Sequence, residues 1–494
     1  MPKSKPSMKN VLNKYVDEFG ENIFSSDGSV LFCKLCETRV SAERRYIVTQ
    51  HLKTDKHTRS VNRHQNATTS KIQQQVTLYS KKCTFSKDLC KALLSANIPL
   101  NKVNNKDFCL FMEKYTNKEI PDESTLRKNY VNDIYVETMN KIRSNIVGHK
   151  IWVSVDETTD VQGRYIANVI IGTLEVNKPG QVYLLNSEML EKTNYSTITK
   201  VFDQSMFLLW PDGIRHDDVL LFLSDAAPYM VKAGKTIGAL YSKMVHVTCL
   251  AHGVHRVAEE IRGRFTKVDK LISKVKQIFL KCPARVFFFK NRAPNVPLPP
   301  EPIITRWGTW LRAASYYCTY FQEIKNIVLE LNQNDAISIK EAQKILNNPS
   351  LETDLVYIHT NFGYLPDTIE KLENQGLPLA TSIEIVRNVS EKLNSVSGNT
   401  GMLINEKFKN VLAKNKGFEF IQQISNILID ETTVIEGLPE ELSIQDFIYF
   451  KYAPITSVDV ERSFSIYKNL LSSNRRSFEF ENLKKSFIVQ CNNF

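Results

Sequence analysis

The sequence predicts a mixed α/β protein: a sheet with an acidic edge, split by a helical insertion and preceded by a small metal-dependent module. Three observations predict it. Residues 150–175, KIWVSVDETTDVQGRYIANVIIGTLE, read as two strands joined at the turn Gln162-Gly163. Two later apolar runs, Val219 to Leu223 and Met244 to Thr248, read as further strands, the first stopping at Ser224-Asp225. Upstream, Cys33 and Cys36 are spaced C-x2-C, and His51 and His57 follow them.

Composition narrows the partner. Against 53 acidic residues the chain carries 64 Lys and Arg, a formal net charge of +11, which suits a polyanion: nucleic acid or an anionic membrane surface. There is no apolar run of about 18 residues, so no membrane span is expected. The start, MPKSKPSMKN, lacks the apolar core of a secretory signal. Nine cysteines in a long chain of 494 residues point to a reducing compartment, and the basic charge favours the nucleus. That length allows two to four domains.

In chain order, residues 1–24 read as a loose basic arm. Residues 25–62 form the metal module. A C-x2-C knuckle puts two thiolates on one side of a zinc ion, and a helix from about Glu43 brings His51 to the other. Five residues separate His51 from His57, so an unbroken helix would put them on different faces. The helix is therefore expected to loosen near Thr54-Asp55. Closure by two sulfurs and two nitrogens makes a structural site, and in so small a module metal binding amounts to folding. Phe32 and Leu52 are expected as its small core, while Arg44, Arg45, Lys53 and Lys56 suit phosphate contacts. Chance spacing is the bland alternative. Residues 63–82, rich in Gln, Ser, Thr and Lys, read as a linker. Residues 83–147 read as about three amphipathic helices punctuated by Pro99 and Pro121, with Ser124 as an N-cap.

LFCKLC followed by HLKTDKH resembles a BED-type zinc finger, and is similar to the finger of the CGG-triplet-repeat-binding protein family. DLCKALLSANIPLNKVNNKDFCLFMEKY and IPDESTLRKNYVNDIY resemble the helical segment that follows it in that family.

Residues 148–259 read as the first part of the sheet domain. Ile151, Val153 and Val155 alternate with Trp152 and Ser154, and Asp156 closes the strand. Tyr165 to Leu174 pairs back on it, and 181–190 adds a third strand. Residues 194–210 have helical period through Ile198, Val201, Phe202 and Met206. The order β-β-β-α-β-α-β-α, with carboxylates after strands one and four, resembles a ribonuclease-H-like fold. Such sites gather carboxylates around Mg²⁺ or Mn²⁺, where two ions would activate the attacking oxygen and stabilise the leaving one. Residues 260–440 read as an all-α insertion with a proline-rich loop at Pro294 to Pro302; 380–440 carries no recognisable motif. Residues 441–494 return to the sheet domain. There Ser457 or Asp459 caps a helix with Glu461 near its start.

SVDVERSFSIYKNLLSSNRRSFEFENLKKSFIV resembles the C-terminal block of hAT-superfamily transposases, and DETTD and LSDAAPYM resemble their acidic blocks. The resemblance implies that Asp156, Asp225 and Glu461 are catalytic acids binding Mg²⁺ or Mn²⁺. It also implies that His252 of CLAH lies near a phosphate, and that Arg306 and Trp307 of TRWGTW hold the DNA end. Read by spacing alone, Cys249 and His252 suit a buried thiol and a helix-start His, and Trp307 and Trp310 suit helix core. His255 extends the series to C-x2-H-x2-H without a fourth ligand. Ile466, Leu470, Leu471, Phe478, Phe480, Leu483, Phe487 and Ile488 are expected to form a homo-oligomer surface, or else to pack on their own sheet.

The expected function is that of a nuclear protein derived from a hAT-type transposase. It would bind double-stranded DNA through a structural zinc and, if active, cleave and join DNA strands with Mg²⁺. The alternative is a domesticated zinc-finger regulator without catalysis. A zinc-dependent scaffold explains the charge but not the spaced acids.

Overall fold

The computed structural model describes residues 8–67, 84–303, 307–430, 437–439, 441–471 and 479–492. It divides into two compact units, Met1–Thr84 and Phe85–Phe494.

The first unit is a three-stranded antiparallel sheet, β1 (Phe24–Ser26), β2 (Leu31–Cys33) and β3 (Thr38–Val40), with helices around it. The helix Met8–Phe19 replaces the expected loose arm over its length: Leu12 and Tyr15 are buried with Phe24, Leu31 and Val48. Two expectations shift here. Phe32 is exposed, because it sits on the outer face of β2 between the inward Leu31 and Cys33. The core is Phe24, Leu31 and Val48 instead, with Leu52 packed against its edge. Helix Arg45–Leu52 ends at Lys53, and a second helix, Asp55–Ala67, begins two residues later. Thr54 makes the break: its hydroxyl donates to the His51 carbonyl at 2.7 Å and accepts from the His57 amide at 3.3 Å. That helix runs into the expected linker as far as Ala67; residues 68–82 of the linker lie outside the described residues.

The second unit holds a five-stranded sheet: β4 (Lys150–Thr159), β5 (Tyr165–Leu174), β6 (Val182–Leu190), β7 (Val219–Ser224) and β8 (Val245–Thr248). Its order is β6-β5-β4-β7-β8, with β4, β5 and β6 antiparallel and β7 and β8 parallel to β4. All six residues of β7 are buried, as a strand covered on both faces requires. The β4–β5 turn is closed by Gly163 at φ +78° and by Asp160, whose carboxylate accepts from the Gln162 and Arg164 amides. Helix Tyr195–Leu209, opened by a capping box at Asn194, joins β6 to β7; helix Pro228–Gly238 joins β7 to β8.

Strand β4 does not end at Asp156. It runs on to Thr159, with Asp156 opposite Asn168 of β5. What ends there is the neighbour on the other side: Ser154 pairs with Leu223, and β7 stops at Ser224. Asp156 therefore reaches the sheet's working edge because β7 gives out beside it.

Ahead of the sheet come helices Thr84–Ser95, Lys106–Thr116, Glu123–Asn129 and Val131–Ile146, with a 3₁₀ turn at Leu100–Asn104. The cap before Glu123–Asn129 is Asp122, which accepts from the Thr125 amide at 2.8 Å, rather than Ser124. Between Thr266 and Leu428 the regular elements described are all helices, and their apolar faces join one core with the sheet. The chain then returns: helix Val458–Leu470 packs on β4 and β5, and helix Phe480–Cys491 on β6 and Val131–Ile146. Leu470, Leu471, Leu483, Phe487 and Ile488 are thereby buried within their own chain, and Ile466 and Phe480 pack against the same core. These side chains are not an open oligomer surface; Phe478 lies outside the described residues.

Candidate functional sites

In the first unit Cys33, Cys36, His51 and His57 bring one ligand atom each to within 4.8 Å of all the others. The local fold explains why. The knuckle after β2 presents both sulfurs, Cys33 and Cys36 both being buried, and the break at Thr54 lets the second helix turn His57 back beside His51. Cys33 Sγ lies 3.5 Å from His57 Nδ1, Cys36 Sγ 3.2 Å from the same nitrogen, and Cys36 Sγ 3.7 Å from His51 Nε2. A tetrahedron with ordinary zinc–sulfur and zinc–nitrogen bonds has sulfur–nitrogen edges of about 3.6 Å. The four residues therefore fit a zinc ion. Burial pushes the pKa of both histidines down, which keeps them neutral and free to ligate at pH 7. Burial, with the Cys33 sulfur alongside, pushes the Cys36 thiol up to about 11, a cost that a bound cation reverses.

Arg44, Arg45, Lys53 and Lys56 are all exposed on this unit. Arg45 is also tied down: its Nε donates to Glu18 at 2.6 Å, and its guanidinium sits 5.6 Å over the Phe19 ring. It fastens the first helix to the metal module.

In the second unit Asp156 and Asp225 stand at the ends of the paired part of two adjacent parallel strands, and both are half-buried. Asp156 accepts from the Glu157 amide at 2.9 Å, and Asp225 from the Ala227 amide at 3.0 Å. Burial raises the Asp156 pKa well above the usual carboxylate range. The Glu157 and Asp225 charges add to that, and His252 opposes it. Glu461 arrives from the first turn of helix Val458–Leu470, and its Oε1 lies 3.3 Å from His252 Nε2. His252 itself sits in the first turn of helix Leu250–Arg264, which Cys249 caps. Burial would lower its pKa, but the Cys249 sulfur, Glu461 and Asp156 outweigh that and lift it to about 10. The sulfur and the two carboxyl groups thus favour the protonated form of His252. Among the described residues, the zinc cluster is the set whose ligand atoms all lie within 4.8 Å of one another; the three acids spread wider.

Several residues that sequence reasoning missed hold this arrangement. Asn168 Nδ2 donates to Ser463 Oγ at 2.8 Å, and Ser187 Oγ donates to Asn168 Oδ1 at 2.8 Å. This buried chain pins the Glu461 helix to β5 and β6. The Ser457 amide donates to Cys249 Sγ at 3.2 Å, so Cys249 joins the start of one helix to the start of the other. Ser457 occupies the expected cap position without a side-chain cap bond. Glu157 adds a fourth carboxylate, hydrogen-bonded by the Tyr229 hydroxyl. The signal was present for Asn168, a polar residue inside the apolar run YIANVIIG, although its partner lies 295 positions away.

Other expected residues fall elsewhere. Arg306 lies outside the described residues; Trp307 opens helix Trp307–Thr319, and its side chain is likewise outside them. Trp310 is core, with Nε1 donating to Asp269 at 3.0 Å. His255 faces Glu373 at 3.8 Å. Among the described residues, no helix is long and apolar enough to cross a membrane.

Two families match. Residues 7–63 match the CGGBP1 N-terminal domain, and residues 121–278 match a Domain of unknown function (DUF659). The human CGG triplet repeat-binding protein 1 is 30% identical over 130 residues, which cover 24% of this chain and 77% of that protein. The mouse protein of the same name is 29% identical over 140 residues, covering 26% of this chain and 83% of its own length. Through its N-terminal quarter, the chain belongs to the CGG triplet repeat-binding protein family.

Proposed function

We propose that this chain is a nuclear DNA-binding protein descended from a hAT-type transposase, with a zinc-built module that engages double-stranded DNA. The observation that carries the reading is the four-ligand cluster, with Lys53 and Lys56 exposed on the helices that bear its histidines. Relatives of this module are named for binding a CGG triplet repeat, and DUF659 is a transposase-related domain. The module resembles a BED-type finger, and the sheet order and acid placement resemble a ribonuclease-H-like core. Phosphate contacts from lysines carry no sequence information. Lys53→Ala and Lys56→Ala should therefore weaken binding to all duplexes alike, and each should lower the salt slope by about one. Equal affinity and equal slope in both variants, measured by fluorescence anisotropy on a labelled duplex, would remove the module as the DNA-binding element.

We further propose that Asp156, Asp225 and Glu461 form a centre for Mg²⁺ or Mn²⁺. The Glu157 Oε2 atom is buried beside them without a hydrogen-bond partner, and the donor set is hard oxygen, which suits those ions. The ion would supply charge stabilisation at a phosphodiester. Asp156 and Asp225 would hold it, while His252 orients Glu461 and balances its charge. Wild-type protein should nick DNA ends in Mg²⁺, and Asp225→Asn should not. A wild type that nicks no end sequence leaves the reading of a domesticated regulator. Its homo-oligomeric state would then rest on surfaces other than the buried C-terminal block.

A further inference from the structure

Beside the acidic centre lies a cavity of ≈ 460 Å³, outside the carboxyl ends of β7 and β8. In open sheets this is where ligands bind, because helix starts and strand ends leave a crevice there, and the size suits a small molecule. Its cations are Arg256, Lys407 and Lys414; its apolar walls include Val231, Leu250 and Val411. No ion pair joins the three cations to another described residue. Three positive groups in one concave, half-apolar site ask for an anionic ligand with an apolar body.

The walls are fixed. Asn415 spends both ends of its amide on the Thr248 backbone, accepting from its nitrogen at 3.1 Å and donating to its oxygen at 2.7 Å. Gly417 packs so closely that an added Cβ would fall 1.8 Å from the His246 carbonyl oxygen. Gly253 lets helix Leu250–Arg264 approach helix Gly398–Ala413, where a Cβ would meet Val411 at 2.9 Å. The two helices that carry the cations are thus locked to each other and to β8.

We propose that this cavity binds a 5′-phosphorylated nucleoside, its phosphate on Arg256 and Lys407 and its base against Val231, Leu250 and Val411. The same unit occurs as a free nucleotide and as a link of a DNA strand. The inference stands on the cavity alone and does not need cleavage at the acids. In the strand form it deepens the reading of this unit as DNA-handling.

The test uses the full chain and a deoxynucleoside 5′-monophosphate, followed by ligand-detected NMR. Binding is expected, and Arg256→Ala and Lys407→Ala should each weaken it about tenfold, the worth of one charge-assisted hydrogen bond to phosphate. Val411→Glu, which puts a like charge in the wall without touching either cation, should abolish it. Circular dichroism melts check that each variant folds. Inorganic phosphate should compete at least about tenfold more weakly than the nucleotide, since it lacks the base that the apolar walls hold. A short single strand that displaces the nucleotide assigns the strand form, and one that does not assigns the free form. The proposal is overturned by folded variants that bind as wild type does, or by phosphate that competes as well as the nucleotide. Nicking is read separately on the same preparations. A protein that binds the nucleotide but never nicks counts against the metal centre and leaves the cavity standing.

Discussion

The residues at the acidic edge are held by neighbours that carry no motif. His246 is the clearest case. Its ring stacks on Phe222 at 4.9 Å, and Nε2 lies 2.9 Å from the hydroxyl of Ser224, the residue before Asp225. Burial pushes its pKa down to about 4. The folded state then binds fewer protons than the unfolded state between about pH 6.5 and about pH 4, so stability falls as the pH falls through that window. Going from pH 7 to pH 5 should cost about 2 kcal/mol from this group. Urea titrations at the two pH values check it, and His246→Gln should flatten the difference. An unchanged difference in that variant would place the acid sensitivity elsewhere. Motif reading reached Asp156, Asp225, His252 and Glu461 because each sits in a recognisable block. It could not reach His246, whose setting depends on how β7 and β8 pair.

At the scale of elements, a local pattern finds strands and helices but says little of how they are fastened. Tyr165–Leu174 was legible to the residue, since a Gly turn precedes an apolar run of strand length. The end of β4 was not: the strand runs past Asp156 because β5 stays paired with it as far as Thr159. The helix bearing Glu461 depends on Asn168 and Ser463, far apart in the chain. Asn168→Ala leaves the Ser187 and Ser463 hydroxyls buried and without that partner, at a cost of about 1–3 kcal/mol. Chemical denaturation should show that loss, and Mg²⁺-dependent nicking should fall with it, as Glu461 loosens. A variant that keeps full stability would mean the hydrogen-bond chain does not hold the helix. Residues 380–440 lacked any motif, yet Asn415 docks this stretch on β8 with a single side chain. One amide leaves no pattern to read.

Over the whole molecule, the division into two units falls just past the end of the polar stretch that follows the metal module, but the sequence misjudges what covers the apolar surface. The C-terminal stripe of Leu470, Leu471, Leu483, Phe487 and Ile488 reads the same whether a partner or the chain itself covers it; the structure buries it at home. A chain ending before Phe478 loses Leu483, Phe487 and Ile488, all fully buried, and should aggregate rather than become a tidy monomer. Sedimentation and light scattering would decide, and a folded, soluble truncated monomer would contradict this packing. The +11 charge is likewise a property of the whole chain, and it makes DNA affinity fall steeply with salt wherever the contacts lie. Zinc dependence is the more direct test, because it ties the four ligands to binding. Duplex affinity of the full chain should be measured by anisotropy with zinc bound, after chelation, and after zinc is restored, with Cys36→Ala alongside. The account predicts that chelation and Cys36→Ala both melt the first unit and reduce binding to a weak, nonspecific remainder in the range of about 10⁻⁴–10⁻⁶ M, and that added zinc rescues only the wild type. Selective binding that survives chelation and the Cys36 substitution unchanged would contradict it.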